Sequence, residues 1–169
     1  MDPFGLPLHA ADFSPAGRVA VGAVAGLLAA TVMNVPMHRL PEGSAPPFVA
    51  AGALTGEGPT DVDPVLASGT HYAAGVLAGM GHTLLALALE GAYPFTARLV
   101  STGLLLVPHL LAVLATYAVL VVVFAYLALP LFGGPVRERA RLVRRDWVFS
   151  AAVYALALVV VVPALLAVV

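Results

Sequence analysis

Four long apolar stretches dominate this sequence and restrict what it can fold into. They cover residues 16–37, 68–89, 99–129 and 147–169, and apart from Arg18 they contain no Asp, Glu, Lys or Arg. An α-helix needs about 20 mostly apolar residues to cross the hydrocarbon core of a bilayer. We therefore predict an all-α membrane protein, a bundle of four transmembrane helices. Residues 1–169 would form a single membrane domain with linkers at 40–67 and 130–146.

The composition agrees with a lipid environment and excludes several functions. Of the 169 residues, 61% are hydrophobic and only 10% are charged, which is too few charges to cover the surface of a soluble domain. A net charge of -1 gives no basic surface for nucleic acid, so the expected partners are the lipid bilayer and other membrane proteins. The absence of cysteine excludes disulfides and thiol chemistry.

The distribution of arginine predicts the orientation. Five arginines lie between spans three and four: Arg137, Arg139, Arg141, Arg144 and Arg145. The positive-inside rule places this linker in the cytoplasm and both termini outside the cell membrane. These guanidinium groups are candidate ligands for lipid headgroup phosphates, and binding of a cytoplasmic protein is an alternative. Setting the topology alone would also account for them, and we favour that interpretation.

The first linker is rich in proline and glycine and is expected to be an ordered but irregular loop. Its apolar centre, residues 48–54, could lie on the membrane surface or dip into the bundle, and we favour the surface. Three carboxylates follow in the same linker, and we interpret them as solvated rather than as a cation site: Glu57, Asp61 and Asp63.

Two GxxxG motifs on consecutive spans predict close helix packing. Gly22 and Gly26 form the first motif, and Gly75 and Gly79 form the second. Small residues let two helix backbones approach closely in lipid, so spans one and two are expected to pack against each other. The alternative is that these glycines are ordinary small residues of membrane helices.

Three histidines are the ionisable residues left inside the spans. His71 and His82 are eleven residues apart on one face of span two, and His109 lies on span three. Counted from the short loop that joins these spans, His82 and His109 fall at comparable depths and could approach each other. Pro108, directly before His109, lacks a backbone donor and is expected to kink span three.

Two facing imidazoles can ligate haem iron, bind another transition metal or relay protons. His82 and His109, with His71, are therefore candidate cofactor-binding residues, with haem as the candidate cofactor. The alternative, which we favour, is polar packing, in which each ring hydrogen-bonds a carbonyl or hydroxyl group of a neighbouring helix. We predict no cofactor on that interpretation, and we assign no separate metal site and no catalytic residue.

Enzyme motifs are missing from the sequence: it has no GxSxG, no HExxH and no lysine for a phosphate-binding loop. The absence of buried carboxylates argues against an ion-coupled transporter. We therefore expect a structural or accessory membrane protein, such as a subunit of a larger complex. The alternative is a haem- or metal-binding subunit for electron or proton transfer.

The first two spans also resemble a known group of proteins. Residues 25–33, AGLLAATVM, and His71-Tyr72 followed by Gly75 and Gly79 are similar to small four-helix integral membrane proteins of archaea and bacteria that have no assigned activity. The resemblance implies a four-helix fold in a membrane and supplies no site residue. It does not extend to the Pro108-His109 region or to the arginine-rich linker.

Overall fold

The computed structural model describes residues 13–93, 97, 99 and 102–168. Its helices are α1 (Pro15–Arg39), α2 (Ala45–Thr55), α3 (Pro64–Ala92), α4 (Leu106–Val122), α5 (Leu129–Phe132) and α6 (Ala140–Val168). A π-helical segment, Val123–Ala128, joins α4 to α5, and a 3₁₀ segment, Gly134–Arg139, precedes α6. The prediction of an all-α protein is confirmed.

Four of these helical stretches are long and apolar enough to cross a membrane: Pro15–Arg39, Pro64–Ala92, Leu106–Phe132 and Gly134–Val168. Large apolar side chains also point away from the bundle. Leu77, Leu156 and Val160 are each 66% exposed, which suits lipid rather than water as the surrounding solvent. We call the end of the bundle that carries Pro15 and Val168 the terminal end. The opposite end, with both long linkers, is the linker end.

The first two long helices begin with the same local signal. Ser14 and Asp63 each precede a proline, and their side chains accept hydrogen bonds from the first free backbone N–H groups of α1 and α3. Proline is favoured at the first helical position because its missing N–H would be unpaired there anyway. Asp63 therefore caps α3, and this linker carboxylate has a structural role.

The helices that contain the last two predicted spans have different bounds from the spans. Residue 99 lies outside the helix, and α4 begins only at Leu106, so Pro108 falls in the first turn and does not kink the helix interior. The Leu104 carbonyl, which an N–H at position 108 would otherwise bond, accepts from Leu99 N–H at 2.9 Å. α6, which contains the last predicted span, begins at Ala140, ahead of residue 147. Residue 169, the predicted end of that span, lies outside the described residues.

The start of α6 packs against the end of α4 and the π-helical segment that follows it. Pro130 cannot donate a backbone hydrogen bond, and the Arg144 side chain donates to the Ala125 carbonyl at 3.0 Å. Trp147 Nε1 donates to the Leu120 carbonyl at 2.9 Å and its ring packs on Phe124. Side chains from the first turns of α6 therefore bond one carbonyl of α4 and one of the π-helical segment, which ties the start of α6 to them. Trp147 itself is buried.

The first linker is more regular than expected, because it contains the helix α2. Gly56, the residue after the end of α2, has a φ of 78°, the left-handed conformation that glycine adopts without strain. Val49 and Ala51 are fully buried, and α2 packs against α3, α5 and the π-helical segment. The apolar centre of this linker therefore packs on the linker end of the bundle.

Candidate functional site

The two GxxxG motifs meet where α1 crosses α3. A Cβ atom added at Gly79 would lie 2.7 Å from Gly26 Cα, and one added at Gly22 would lie 2.7 Å from the Gly79 carbonyl oxygen. An added Cβ at Gly75 would lie 2.6 Å from Ala30 Cβ. Real Cβ contacts are never this short, so the crossing requires glycine. It fixes the depth of every other residue on α1 relative to α3.

Next to this crossing, towards the terminal end, His82 of α3 lies against His109 of α4. Their ring centroids are 5.1 Å apart, the rings are nearly perpendicular at 85°, and each residue is 1% exposed. The structure thus brings together the two histidines for which the sequence predicts similar depths. The similar positions of His82 and His109 along two adjacent antiparallel helices were enough to predict this contact.

A proline in α6 explains the position of His109. Pro163 has no N–H, so the Val159 carbonyl one turn earlier lacks its helical donor. His109 Nε2 faces this carbonyl at 3.5 Å. A carbonyl can only accept, so Nε2 carries the proton and Nδ1 keeps a lone pair. Within the part of the chain that the structure describes, this buried Nδ1 has no hydrogen-bond partner.

His82 has even fewer hydrogen-bond partners than His109. Among the described residues, neither of its ring nitrogens makes a hydrogen bond. The Ala112 carbonyl lies near the ring but not in hydrogen-bonding geometry. Leaving a buried polar group unpaired costs about 1–3 kcal/mol. These two rings together carry three of the buried side-chain atoms without a hydrogen-bond partner in the described residues.

An ion pair that the sequence analysis missed lies at the terminal end beside these rings. Arg18 donates to both carboxylate oxygens of Glu90, at 2.5 and 2.7 Å, although its side chain is only 8% exposed. In the sequence, Arg18 lies near the start of span one and has no evident partner. The GxxxG motifs could have predicted this pair. Antiparallel helices that cross at Gly26 and Gly79 place Arg18 and Glu90 close to each other at the terminal end of the bundle.

A small cavity lies between Arg18 of the ion pair and His82. It measures about 10 Å³, and Arg18, His82, Thr83 and Ala86 contribute to its walls. A volume of this size holds about one water molecule. Within the described residues, Arg18 Nε is also buried without a partner. A donor and an imidazole without partners thus line the same water-sized space.

His71 does not join this cluster. It lies nearer the linker end, where its Nε2 donates to the Ala30 carbonyl at 3.2 Å and its ring packs edge-on against Tyr72. The densely packed glycines of the α1–α3 crossing separate it from His82. The structure therefore divides the three candidate histidines into a pair and a separate third residue.

The arginine-rich linker makes contacts within the protein that the sequence did not reveal. Arg139 pairs with Glu42 at 2.5 Å and Arg145 with the buried Asp146 at 2.8 Å. Arg137 donates to the carbonyls of Gly134 and Pro130, and Arg141 is exposed. Arg139 and Arg145 keep side-chain exposures of 58% and 62%, so a lipid phosphate can still reach them. The headgroup role of the five arginines stays a prediction.

Comparisons with protein-family models, with curated proteins and with solved structures find no match to this chain. The resemblance of its first two spans to small four-helix membrane proteins therefore stays a prediction. The polar residues at the terminal end, His82, His109, Arg18 and Glu90, are the structural basis for a function.

Proposed function

We propose that this chain is a membrane protein whose His82–His109 pair exchanges protons inside the bundle, as an accessory subunit would for a larger complex. The observation that carries the proposal is the contact of two buried imidazoles with three ring nitrogens that have no partner in the described structure. Intramembrane ionisable residues are costly, and they are usually kept for ion or proton handling. Imidazole suits this task because one ring can both accept and donate a proton.

The surroundings of the pair support contact between His82 and a water molecule. Glu90 is 22% exposed in its side chain and binds Arg18, which lines the water-sized cavity with His82. A water molecule there would bond Arg18 Nε and one His82 nitrogen. His109 follows and also lines a groove of about 370 Å³ between α4 and α6, where a neighbouring subunit could receive the proton.

Haem between the two rings is less well supported by this geometry. Bis-histidine ligation places a porphyrin between the imidazoles, whereas the rings here are in contact and the adjoining cavity holds about one water molecule. A purely structural or accessory role is the second candidate. It is favoured by the bond of His109 to the carbonyl that Pro163 leaves free, which is polar packing of the predicted kind.

Hydrogen exchange of the imidazole N–H groups tests the proposal. In bilayers made with ¹⁵N-histidine protein, we expect the His82 N–H signal to disappear in D₂O much faster than neighbouring backbone amides of α3. Ala86→Val would fill the cavity and slow this exchange by at least about tenfold, because the ring would lose its contact with water. Ala88→Val, on the exposed side of the same helix, is the matched control and should have no effect. Ring exchange as slow as that of the backbone amides in the wild-type protein would leave polar packing as the explanation.

We also propose that the linker end faces the cytoplasm, because it carries the five clustered arginines. The chain has no cysteine, so single cysteines report the orientation without background. Gly91→Cys lies at the terminal end with open space around the added side chain, and Glu138→Cys is exposed at the linker end. In intact cells an impermeant maleimide should label Gly91→Cys, and Glu138→Cys only after permeabilisation. The reverse labelling would show that the arginine cluster lies outside.

A further inference from the structure

A second polar cavity lies at the linker end, separate from the His82–His109 pair. It measures about 350 Å³, and six of its lining residues are polar: Asn34, His38, Ser44, Ser68, His71 and Tyr72. His38 is exposed and His71 half-buried, so the cavity is accessible from the aqueous side of the bundle. Two imidazoles therefore share one accessible polar space between α1, α2 and α3.

The hydrogen bonds of these imidazoles determine which nitrogen of each is free. His38 Nδ1 lies 2.7 Å from the Asn34 carbonyl, and His71 Nε2 lies 3.2 Å from the Ala30 carbonyl. Because a carbonyl only accepts, both of these nitrogens carry protons. His38 Nε2 and His71 Nδ1 are therefore the nitrogens that keep lone pairs.

This arrangement is the one found around metal-ligating histidines. Such a ring almost always donates its second N–H to a backbone carbonyl or carboxylate, which fixes the tautomer and orients the ligating nitrogen. Here both rings are anchored to carbonyls of the same helix, Ala30 and Asn34, which are four residues or about 6 Å apart along its axis. In a tetrahedral site with Zn–N bonds of about 2.0–2.1 Å, two ligating nitrogens lie roughly 3.3 Å apart, which sets how closely His38 Nε2 and His71 Nδ1 must approach when the ion binds.

We propose that His38 Nε2 and His71 Nδ1 bind a late first-row transition-metal ion such as Zn²⁺ in this cavity. No group of three His, Cys, Asp or Glu side chains converges on a metal position in the described ranges. The remaining ligands are therefore water molecules and the hydroxyl groups of the cavity wall, Ser44, Ser68 and Tyr72. Open coordination positions of this kind are typical of a site that exchanges its ion rather than of a closed structural site.

Zn²⁺ titration by calorimetry tests the site, with the full chain in detergent and any polyhistidine tag removed. We expect one ion per chain, and we expect His38→Ala and His71→Ala each to weaken binding by at least about tenfold. His82→Phe removes a ring of the other pair and should leave the affinity unchanged, so this result is independent of the proton-exchange proposal. A chain that binds no Zn²⁺, or one whose binding survives both His38→Ala and His71→Ala, would overturn the assignment.

Discussion

Gly79→Ala is expected to destabilise the protein, whereas Gly81→Ala, two residues away on the same helix, should leave its stability unchanged or raise it. The added Cβ at Gly79 would overlap the backbone of α1, with Gly26 Cα at 2.7 Å, while nothing lies within 4 Å of one at Gly81. Overpacking of this kind costs about 1–3 kcal/mol, and the helices must separate to relieve it. At Gly81 the only effect is helix propensity, which favours alanine by up to about 1 kcal/mol.

Thermal unfolding in detergent measures this difference. For a chain of this size, a loss of 1–3 kcal/mol corresponds to a fall in Tm of roughly 2–12 °C. Leucine at the same two positions extends the series. The Tm of Gly79→Leu should fall further, or this variant should fail to fold. The Tm of Gly81→Leu should resemble that of the wild type, because the added side chain points away from the bundle. Equal behaviour of the two positions would mean that the α1–α3 crossing is not closely packed.

The four-helix architecture could be predicted because hydropathy and small-residue motifs are local signals. A span of about 20 apolar residues has few alternatives in lipid, since each backbone group must find its partner within the helix. The GxxxG motifs were informative for a similar reason, because close packing needs only the absence of a side chain. The places where helices begin and end were less predictable.

Tertiary contacts determine those helix boundaries. α6 begins at Ala140, and Arg144 and Trp147 near its start bond the carbonyls of Ala125 and Leu120, contacts that hydropathy cannot register. α4 begins at Leu106, and just before it the Leu104 carbonyl accepts a hydrogen bond from Leu99 N–H. The polar residues of the linkers are likewise used inside the protein, as the pairs of Glu42 and Asp146 with arginines show.

The candidate site was predictable in part. Depth along the helices predicted that His82 and His109 would meet, but it gave no information on the partners of their nitrogens. The role of Pro163, more than 50 residues from His109, depends on the packing of α4 on α6. The Arg18–Glu90 pair was missed because each charge lies at the edge of its own span and appears solvated until the two helices are placed side by side.

Removal of one partner of this ion pair should have a large effect on stability. Arg18 is 8% and Glu90 22% exposed in their side chains, so a single substitution leaves the other charge poorly solvated. We expect Glu90→Leu to cost about 3–5 kcal/mol, as is typical when one member of a buried ion pair is removed. Arg18→Met should cost less, because Glu90 can turn towards water and keep part of its hydration.

The double variant, Arg18→Met with Glu90→Leu, measures whether the contributions of the two charges to stability are coupled. If the single losses arise from an uncompensated charge, replacing both groups by apolar ones should restore most of the stability, because neither desolvated charge remains. Arg39→Met, at the exposed end of the same helix, is the control for general loss of an arginine and should change stability by less than about 1 kcal/mol. Unfolding curves for the four proteins of this cycle give the coupling energy directly. Additive losses would show that Arg18 and Glu90 stabilise the bundle independently, and the ion pair would then not be what holds the terminal ends of α1 and α3 together.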